Sequence, residues 1–441
     1  MTAIGVGSRR RPGPGARTDK RRSTKRKQQT EPSAFAEWRT AAWASPTTSY
    51  YLIGGAALVL LLLGLVMVLS ASMVVSLNES GGQTPFTDFL NQLKFAVMGV
   101  PVALIASRFK PEWFRKLAWL ILVGALGLQL LIFTPLARGE GGNLNWVYVP
   151  GLNTAFQPSE FAKLALAIWL GAVLATKGDL LRQWRHALVP GVLVAAIFLG
   201  LVLYGHDLGT ALIVIALVAG ALWVAGVPLS LFALLGSAAA AGAGFLVFSS
   251  TNRRERVEQF LGMGGDAHAI DTFQRDSALA ALGSGGLSGT GLGASRIKWR
   301  GLPAAQDDYI FAILGEELGL LGALLVILLF VALALGVTRV VKRHPDRFVK
   351  ITAAALGTWI VAQAFVNIGV VIGVLPVIGV PLPLLSAGGS SLVTTLAALG
   401  ILLAFARSEP GAKEAFAARR GSVRRSLAVL APRLRPTRSR G

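Results

Sequence analysis

The acidic pair Asp307-Asp308, which stands directly before a long apolar run, is the part of this sequence best suited to chemistry. Residues 283–294 before it are rich in glycine, and the basic residues Lys298 and Arg300 lie between the two features. A carboxylate is costly to keep at the mouth of a membrane helix, so its presence there usually serves a function. Asp308 is therefore the first candidate for a reacting group.

Two further carboxylates, Glu316 and Glu317, lie about two turns deeper in the same run. On an ideal helix Glu316 is about 80° around the axis from Asp308. Carboxylates at that depth must face a cavity or a cation, and Lys298 and Arg300 are candidate partners for them or for a phosphate. A structural salt bridge would explain one of the two glutamates. Asp308 itself could instead cap the helix, although its acidic neighbour could serve equally well.

The glycine-rich segment has two open interpretations. Its residues Gly289-Thr-Gly-Leu-Gly-Ala have the spacing of a dinucleotide-binding fingerprint, but that motif requires a strand, a turn and a helix, and no strand pattern is present. The segment is not a P-loop, because no Gly-Lys-Ser/Thr follows. It is therefore either a flexible linker or a nest of backbone N–H groups that approaches a diphosphate.

Polar residues also mark the edges of other apolar runs. Asp207 stands between two runs and is either a turn residue or a polar wall of the same cavity. Farther back, Gln157 and Pro158 precede Ser159, a natural helix N-cap, and Lys163 lies one turn inside the run. Glu160 is within reach of Lys163 at a spacing of three residues, so this lysine either pairs structurally or lines a cavity.

Residues 375–391 interrupt apolar sequence with three prolines and a Gly-Gly-Ser-Ser run. Such a break at membrane depth is tolerated only where it lines a cavity. The amides of Gln363 and Asn367, on the preceding run, would suit the same cavity. The candidates that the break contributes are Ser386, Gly388, Gly389 and Ser390.

Composition places these motifs in a membrane protein. The chain has 441 residues, 53% of them hydrophobic and only 15% charged, with a mean hydropathy of +0.60. Soluble domains carry about 25% charged residues. The absence of cysteine excludes disulfides, a thiol nucleophile and thiolate metal ligands. The histidines are scattered, which argues against a histidine-rich metal cluster.

Ten apolar runs are long enough to cross about 30 Å of hydrocarbon. The predicted fold class is an all-α integral membrane protein of about ten transmembrane helices, with a large outer loop between the seventh and the eighth. Residues 253–260 of that loop are predicted to form an interfacial helix. A cleaved signal peptide is not expected, because the first run follows a long charged tail. The runs are 51–73, 92–109, 117–136, 160–176, 187–204, 208–225, 229–249, 309–338, 350–374 and 390–406.

The net charge of +21 resides largely near the two termini. Residues 1–50 contain eleven Lys and Arg and the segment from residue 407 contains ten, and both lack apolar periodicity. We predict a disordered basic tail at 1–50, a membrane domain at 51–406 and a second disordered basic tail at 407–441. The positive-inside rule puts both tails in the cytoplasm, where we expect them to bind anionic lipid and no nucleic acid.

This orientation places the loops 74–91, 137–159, 249–308 and 376–389 outside the cell, together with Asp308. A site on the outer side cannot draw on cytoplasmic ATP. Its substrates are therefore already activated, or the protein is a channel or a transporter.

Taken in order, the motifs resemble the shape, elongation, division and sporulation (SEDS) family of peptidoglycan polymerases over residues 46–410. The family often has His-Thr-Asp or His-Asn-Asp where this chain has Gln306-Asp-Asp, and Arg-Trp where it has Asn145-Trp. The matching segments are Gln157-Pro-Ser-Glu160 with Lys163, Asp207-Leu-Gly-Thr, Gly289-Thr-Gly-Leu-Gly with Lys298, Asp308-Tyr-Ile-Phe-Ala, Gly315-Glu-Glu-Leu-Gly, Gln363 to Asn367, Leu375-Pro and Leu384-Leu-Ser-Ala-Gly-Gly-Ser-Ser391.

The resemblance implies an inverting glycosyltransferase that polymerises lipid II into glycan strands, with Asp308 as the catalytic base. It leaves open whether a divalent cation, Mg²⁺ or Mn²⁺, takes part, and no other cofactor is expected. The residues it implies for substrate binding are Lys298, Arg300, Asp207, Lys163, Glu160, Gln157, Glu316, Ser386, Gly388, Gly389 and Ser390.

The implied partners are lipid II and lipid-linked glycan, a class B penicillin-binding transpeptidase and other division proteins. The implied location is the bacterial plasma membrane at the division septum. The first span and the basic tails look most like the division branch of the family in actinobacteria, and the elongation branch is next closest. Two other functions fit a polar cavity with intramembrane charges, namely a lipid II transporter and a scaffold that positions a transpeptidase.

Overall fold

The computed structural model describes residues 43, 45–79, 84–140, 143–150, 154–248, 254, 269–299 and 306–418. Most of both predicted tails, Arg300 and all but one residue of the predicted helix at 253–260 lie outside these ranges. The helices described are α1 (Thr48–Glu79), α2 (Thr87–Ala106), α3 (Pro111–Leu130), α4 (Pro158–Lys177), α5 (Trp184–Tyr204), α6 (Leu208–Ala225), α7 (Leu229–Phe248), α8 (Ala269–Ser284), α9 (Ile310–Arg343), α10 (Arg347–Val371) and α11 (Gly389–Arg407).

Each of the ten predicted apolar runs corresponds to one of these helices, which confirms the all-α membrane fold. Among the described residues, nine helices are long and apolar enough to cross a membrane, and α7 contributes a shorter apolar stretch, Leu229–Gly242. Helix α8 was not predicted. It is amphipathic, lies within the large loop between α7 and α9, and packs against α9.

Helices α10 and α11 form the centre of the bundle. In their apolar parts 72% and 78% of the residues are buried, against 17% in α2. Small residues allow the close packing, as is usual for membrane helices. A Cβ at Gly400 of α11, for example, would lie 2.5 Å from the carbonyl oxygen of Ala103 in α2.

A three-stranded antiparallel sheet lies in the loop between α3 and α4, where only a loop was predicted. Its strands are β1 (Ala137–Glu140), β2 (Asn143–Val149) and β3 (Thr154–Phe156), in that order. Arg138 pairs with Trp146 in the register, and its guanidinium lies 4.3 Å from the centroid of the Tyr148 ring. The N–H of Leu144 donates to the carbonyl of Gly205 at 3.1 Å, which anchors the sheet to the end of α5.

Helix α4 begins at Pro158, and Gln157 occupies the cap position. The predicted N-cap at Ser159 is therefore wrong, because proline is favoured at the first helical position and displaces the cap by two residues. Ser159 is instead buried in the first turn of α4.

Helix α9 is broken at Gly319, whose backbone adopts φ 67° and ψ −166°. The glycine-rich segment fills the break. The N–H groups of Thr290 and Gly291 donate to the carbonyls of Glu316 and Glu317 at 2.9 and 3.0 Å. The flexible-linker interpretation is therefore wrong for this part of the segment, and these two N–H groups already have protein acceptors in place of a diphosphate.

Candidate active site

The candidate residues meet at one end of the bundle. Hydrogen bonds place the starts of α4, α6 and α11 together, and the start of α9 at the end of α10. The sheet lies at this same end, because Asn145 of β2 donates to Asp207, the residue before α6, at 3.0 Å. The loop between α10 and α11 completes the site.

Asp308 is half-buried at the mouth of α9. The helix begins at Ile310 and its cap position is Tyr309, so the alternative in which Asp308 is the N-cap does not hold. Asn367 of α10 donates to the carbonyl of Asp308 and to the carbonyl of Val380, both at 2.8 Å. This amide therefore fixes the backbone of Asp308 against the broken segment.

Ser386 and Gly388 fasten the broken segment to its surroundings. The hydroxyl of Ser386 donates to the carbonyl of Asp307 and accepts from the N–H of Leu382 at 2.8 Å. Gln92 of α2 donates to the carbonyl of Ser386 at 3.0 Å and accepts from the N–H of Gly388 at 3.2 Å. Ser386 therefore ties the broken segment to the loop that carries the acidic pair, and Gln92 fixes the broken segment to α2.

Lys163 forms a buried ion pair with Glu160. Lys163 Nζ lies 2.9 Å from Glu160 Oε1, and each side chain is only 2% exposed. The ammonium also donates to Gln363 Oε1 at 3.0 Å and lies 5.0 Å from the Trp359 ring centroid. Gln363 in turn donates to the carbonyl of Pro381 at 3.0 Å. The structural-pairing alternative therefore describes Lys163, which ties α4 and α10 to the broken segment.

Asp207 is a buried turn residue, as the first of its two alternatives predicted, and it also binds two neighbouring side chains. Its Oδ1 accepts from the N–H of Thr210 at 2.8 Å, which caps α6. Its Oδ2 accepts from Asn145 at 3.0 Å and from the side chain of Gln157 at 2.8 Å. The N–H of Gln157 donates to Ser390 Oγ at 3.2 Å. This network links the sheet, α4, α6 and α11.

Lys298, Glu316 and Glu317 lie away from Asp308, beside the break in α9. Lys298 Nζ is 3.1 Å from Glu317 Oε1, and the two side chains are 4% and 0% exposed. Ser70 of α1 donates to both oxygens of Glu317 at 2.7 Å. Glu316 accepts from the hydroxyl of Ser295 at 2.5 Å and from a nearby backbone N–H. The predicted salt bridge thus involves Glu317, while neutral donors satisfy Glu316.

The remaining candidates have less defined chemistry. Gly389 lies against the ring of Phe95, where a Cβ would clash. Within the described ranges, no group of three or more His, Asp and Glu side chains is arranged to hold a metal ion.

Sequence reasoning overlooked two polar residues that bind candidate residues, Gln92 and Ser70. The signal that could have found them is a polar side chain on an otherwise apolar helix.

Comparisons with known proteins agree with this architecture. A family model for cell cycle proteins of the FtsW/RodA/SpoVE type matches residues 51–410. The "probable peptidoglycan glycosyltransferase FtsW" of Mycobacterium tuberculosis is 36% identical, over 92% of this chain and 79% of the relative. The protein of the same name from Halorhodospira halophila is 39% identical, over 78% of this chain and 86% of the relative.

Two solved structures have the same fold. A chain from a study of the "structural coordination of polymerization and crosslinking by a peptidoglycan synthase complex" has a TM-score of 0.62 at 26% identity, covering 79% of this chain and 98% of its own. The rod shape determining protein RodA of Thermus thermophilus has a TM-score of 0.58 at 25% identity, covering 82% of this chain and 97% of its own.

The fold and the site therefore define a multi-pass membrane protein with a half-buried aspartate at the mouth of α9 and several buried polar networks in the helices around it. The chain belongs to the FtsW/RodA/SpoVE family of cell cycle proteins. The resemblance to the SEDS family that the motifs indicated is confirmed.

Proposed function

We propose that this chain is a peptidoglycan glycosyltransferase that polymerises lipid II into glycan strands for the septal wall during division. The relatives at 36–39% identity are named probable peptidoglycan glycosyltransferases FtsW, and the family model is that of cell cycle proteins. The observation that carries the proposal is Asp308. It is half-buried at the mouth of α9 while Asn367 holds its backbone in place.

The proposed reaction needs a general base and no ATP. The donor is the lipid-diphosphate end of the growing chain, and the acceptor is the 4-hydroxyl of the GlcNAc of lipid II. The acceptor oxygen attacks the anomeric carbon of the donor on the face opposite the diphosphate, while Asp308 takes the hydroxyl proton. The bond to the diphosphate breaks, the electron pair leaves with it, and the anomeric centre is inverted.

Stabilisation of the diphosphate leaving group is the second requirement of this reaction. Lys163 and Lys298 are each engaged in a buried ion pair, which favours a different source of positive charge, and Arg300, the other basic candidate, lies outside the described residues. We propose that a divalent cation, Mg²⁺ or Mn²⁺, would supply this charge and that Asp307 would help to hold it beside the substrate diphosphate, because Mg²⁺ usually binds through one or two carboxylates plus substrate phosphates. The cation would offset the charge that develops on the leaving group.

The proposed partner is a class B penicillin-binding transpeptidase, together with other division proteins. Support comes from the structural likeness to a chain of a synthase complex in which polymerization and crosslinking are coordinated. We also propose that both termini are cytoplasmic, that Asp308 faces outward, and that the chain acts at the septum. The concentration of basic residues in the two tails supports this orientation.

The decisive experiment is polymerisation of lipid II by the purified full-length protein in detergent. We expect glycan strands from the wild type, none from Asp308→Asn or Asp308→Ala, and a milder loss from Asp307→Ala. Asp276→Asn, in an exposed ion pair of α8, is the control and should retain activity. Near-normal turnover by Asp308→Asn would show that the general-base assignment is wrong.

The same assay separates the remaining alternatives. A transporter would show no product in detergent, and its activity would require a sealed membrane. Removal of divalent cations with a chelator should stop synthesis, and added Mg²⁺ or Mn²⁺ should restore it. Addition of the transpeptidase should increase synthesis and lead to co-purification after mild extraction. Equal activity with and without it, and no co-purification, would leave an autonomous polymerase.

A further inference from the structure

The outer part of α9, residues 310–318, is a separate helical segment. Gly319 has a positive φ and cannot continue the helix, so the outer segment is not held in place by the hydrogen-bond ladder of the long inner segment. Asp308 stands two residues before this outer segment. Its position therefore depends on whatever holds residues 310–318 against the bundle.

The glycine-rich segment supplies part of that support. The N–H groups of Leu320 and Leu321 donate to the carbonyls of Gly286 and Leu287 at 2.9 and 3.2 Å. Here α9 donates to the glycine-rich segment, whereas Thr290 and Gly291 of that segment donate to α9. The two segments are therefore joined by backbone hydrogen bonds donated from both sides. The backbones also touch where glycine replaces a side chain, because a Cβ at Gly285 would collide with the carbonyl of Gly315.

A buried ionic cluster, consisting of Lys298, Glu317, Ser70, Ser295 and Glu316, lies at the same junction. Lys298 also donates to the carbonyl of Gly293 at 2.6 Å, so one ammonium joins the segment, α9 and, through the nearby Ser70, helix α1. Because the charged pair is almost fully buried, water cannot replace either partner, and loss of one would leave the other charge buried and unpaired. The cluster therefore connects the outer part of α9 to the rest of the bundle.

We propose that Lys298 and Glu317 are positioning residues for the polymerisation reaction. Their ion pair locks residues 285–299 to residues 310–318 as one unit and so sets the place of Asp308 relative to the substrate. The assignment rests on the proposed function. It differs from the substrate-binding role that the family resemblance implies for Lys298, because a lysine that binds Glu317 inside the protein does not contact the diphosphate.

The test combines kinetics with hydrogen–deuterium exchange on the full-length protein. We expect Lys298→Met, Glu317→Gln and the double variant each to lower kcat about 10- to 100-fold, because small misplacement of a reacting group has this effect. KM for lipid II should change by less than about twofold. The double variant should be no worse than the singles. Lys298→Arg, which retains the charge, should recover part of the rate.

Hydrogen–deuterium exchange tests, independently of activity, whether the Lys298–Glu317 pair holds the two segments together. In Lys298→Met, exchange should rise together in residues 285–295 and 310–318 and stay unchanged in residues 325–340. Arg275→Met, in the exposed ion pair with Asp276, is the matched control and should change neither readout. If the wild type made no glycan but exchange in Lys298→Met still rose in both segments, the proposed polymerase function would be wrong, while the structural link through the ion pair would stand.

Three results would overturn the positioning role. One is a raised KM in Lys298→Met with an unchanged kcat, which would indicate contact with substrate. The second is full activity of Glu317→Gln. The third is an increase in exchange that stays within residues 285–295 and leaves residues 310–318 as in the wild type.

Discussion

The carboxylates near this end of the protein differ in how far they are exposed. Glu160 pairs with Lys163, Asp207 accepts from several neutral donors, and Glu317 binds Lys298 and Ser70. All three are buried, whereas Asp308 is half-exposed at the end of a helix. A group that must take a proton from a bound substrate has to be reachable, so the residue geometry favours Asp308 as the base.

Loss of one partner of the Lys163–Glu160 pair should destabilise the protein. Lys163→Met leaves the Glu160 carboxylate buried without its cation, which costs about 3 kcal/mol in comparable sites. Thermal unfolding in detergent should show the decrease, and the double variant Lys163→Met, Glu160→Gln should recover part of it. The control is Arg347→Met, since Arg347 and Asp179 form an exposed pair at 3.9 Å. A midpoint as high for Lys163→Met as for the control would contradict the structural role.

Residue spacing revealed local pairs but not distant ones. Glu160 and Lys163 are three residues apart on one helix, so their pairing followed from the sequence. Lys298 and Glu317 were each singled out, but Arg300 and Glu316 were equally plausible partners. The choice between them depends on the break at Gly319 and on Ser70, which lies more than 200 residues away in the chain. No spacing rule contains that information.

At the scale of elements, the break in α9 depends on glycine at two facing positions. Gly289 and Gly319 both have positive φ, and a Cβ on either would collide with the backbone of the other strand of chain. An L-residue held in such a sparsely populated backbone region costs about 1–3 kcal/mol even before the collision.

Gly319→Ala should therefore lower both the thermal midpoint and the rate of glycan synthesis. Gly283→Ala provides the matched control, because Gly283 is helical in α8 and a Cβ there would meet nothing within 4 Å. Alanine favours helix by about 1 kcal/mol, so the control should be neutral or slightly more stable. Equal behaviour of the two variants would show that the break tolerates a side chain.

The connection between α9 and α10 contains a histidine that is neutral in the folded protein. His344 Nδ1 accepts from the N–H of Asp346 at 3.1 Å, and Nε2 lies 3.2 Å from Ser408 Oγ. Burial lowers the pKa of His344 below its ordinary value of 6.5, and the charge of nearby Lys350 acts in the same direction, while Asp346 opposes both. Protonation at Nδ1 would break the bond to Asp346.

As the pH is lowered, the unfolded chain therefore takes up a proton at His344 at a higher pH than the folded chain does. Between these two pKa values the free energy of unfolding decreases as the pH decreases. The contribution is complete above pH 6.5 and is lost as the pH falls through the lowered pKa of the folded state. Thermal midpoints measured from pH 7.5 to pH 5 should decline less in His344→Gln than in the wild type. Parallel curves for the two proteins would contradict this role of His344.

Long apolar helices were predictable, and short outer elements were not. The ten runs stand out because a membrane helix needs about 20 apolar residues. The sheet β1–β3 has strands of only three to seven residues, and α8 is amphipathic in a polar loop. Their stability comes from contacts with the bundle, such as that between Leu144 and Gly205, rather than from local pattern. The alternation of aromatic and β-branched residues in β2 was the available signal.

For the molecule as a whole, the proposed topology separates the tails from the reaction. An even number of apolar runs, with the basic residues concentrated in the two tails, predicts that both termini are cytoplasmic and that Asp308 faces outward. A truncation that removes residues 1–40 should therefore keep its polymerase activity when purified and correctly inserted. The measurement is the rate of lipid II consumption per folded protein. A large loss in the truncated chain would contradict either the proposed topology or the view that the tail takes no part in chemistry.

The Glu160–Lys163 pair also bears on how the protein enters the membrane during synthesis. Both charges lie on adjacent turns of α4, so they neutralise each other as soon as that helix forms. Gln363, the third member of the contact, is made 200 residues later. Helix α4 can therefore leave the translocon with its first-turn charges already paired and wait in the bilayer for α10. A lysine whose only counter-charge came from α10 would have to cross the lipid interface unpaired.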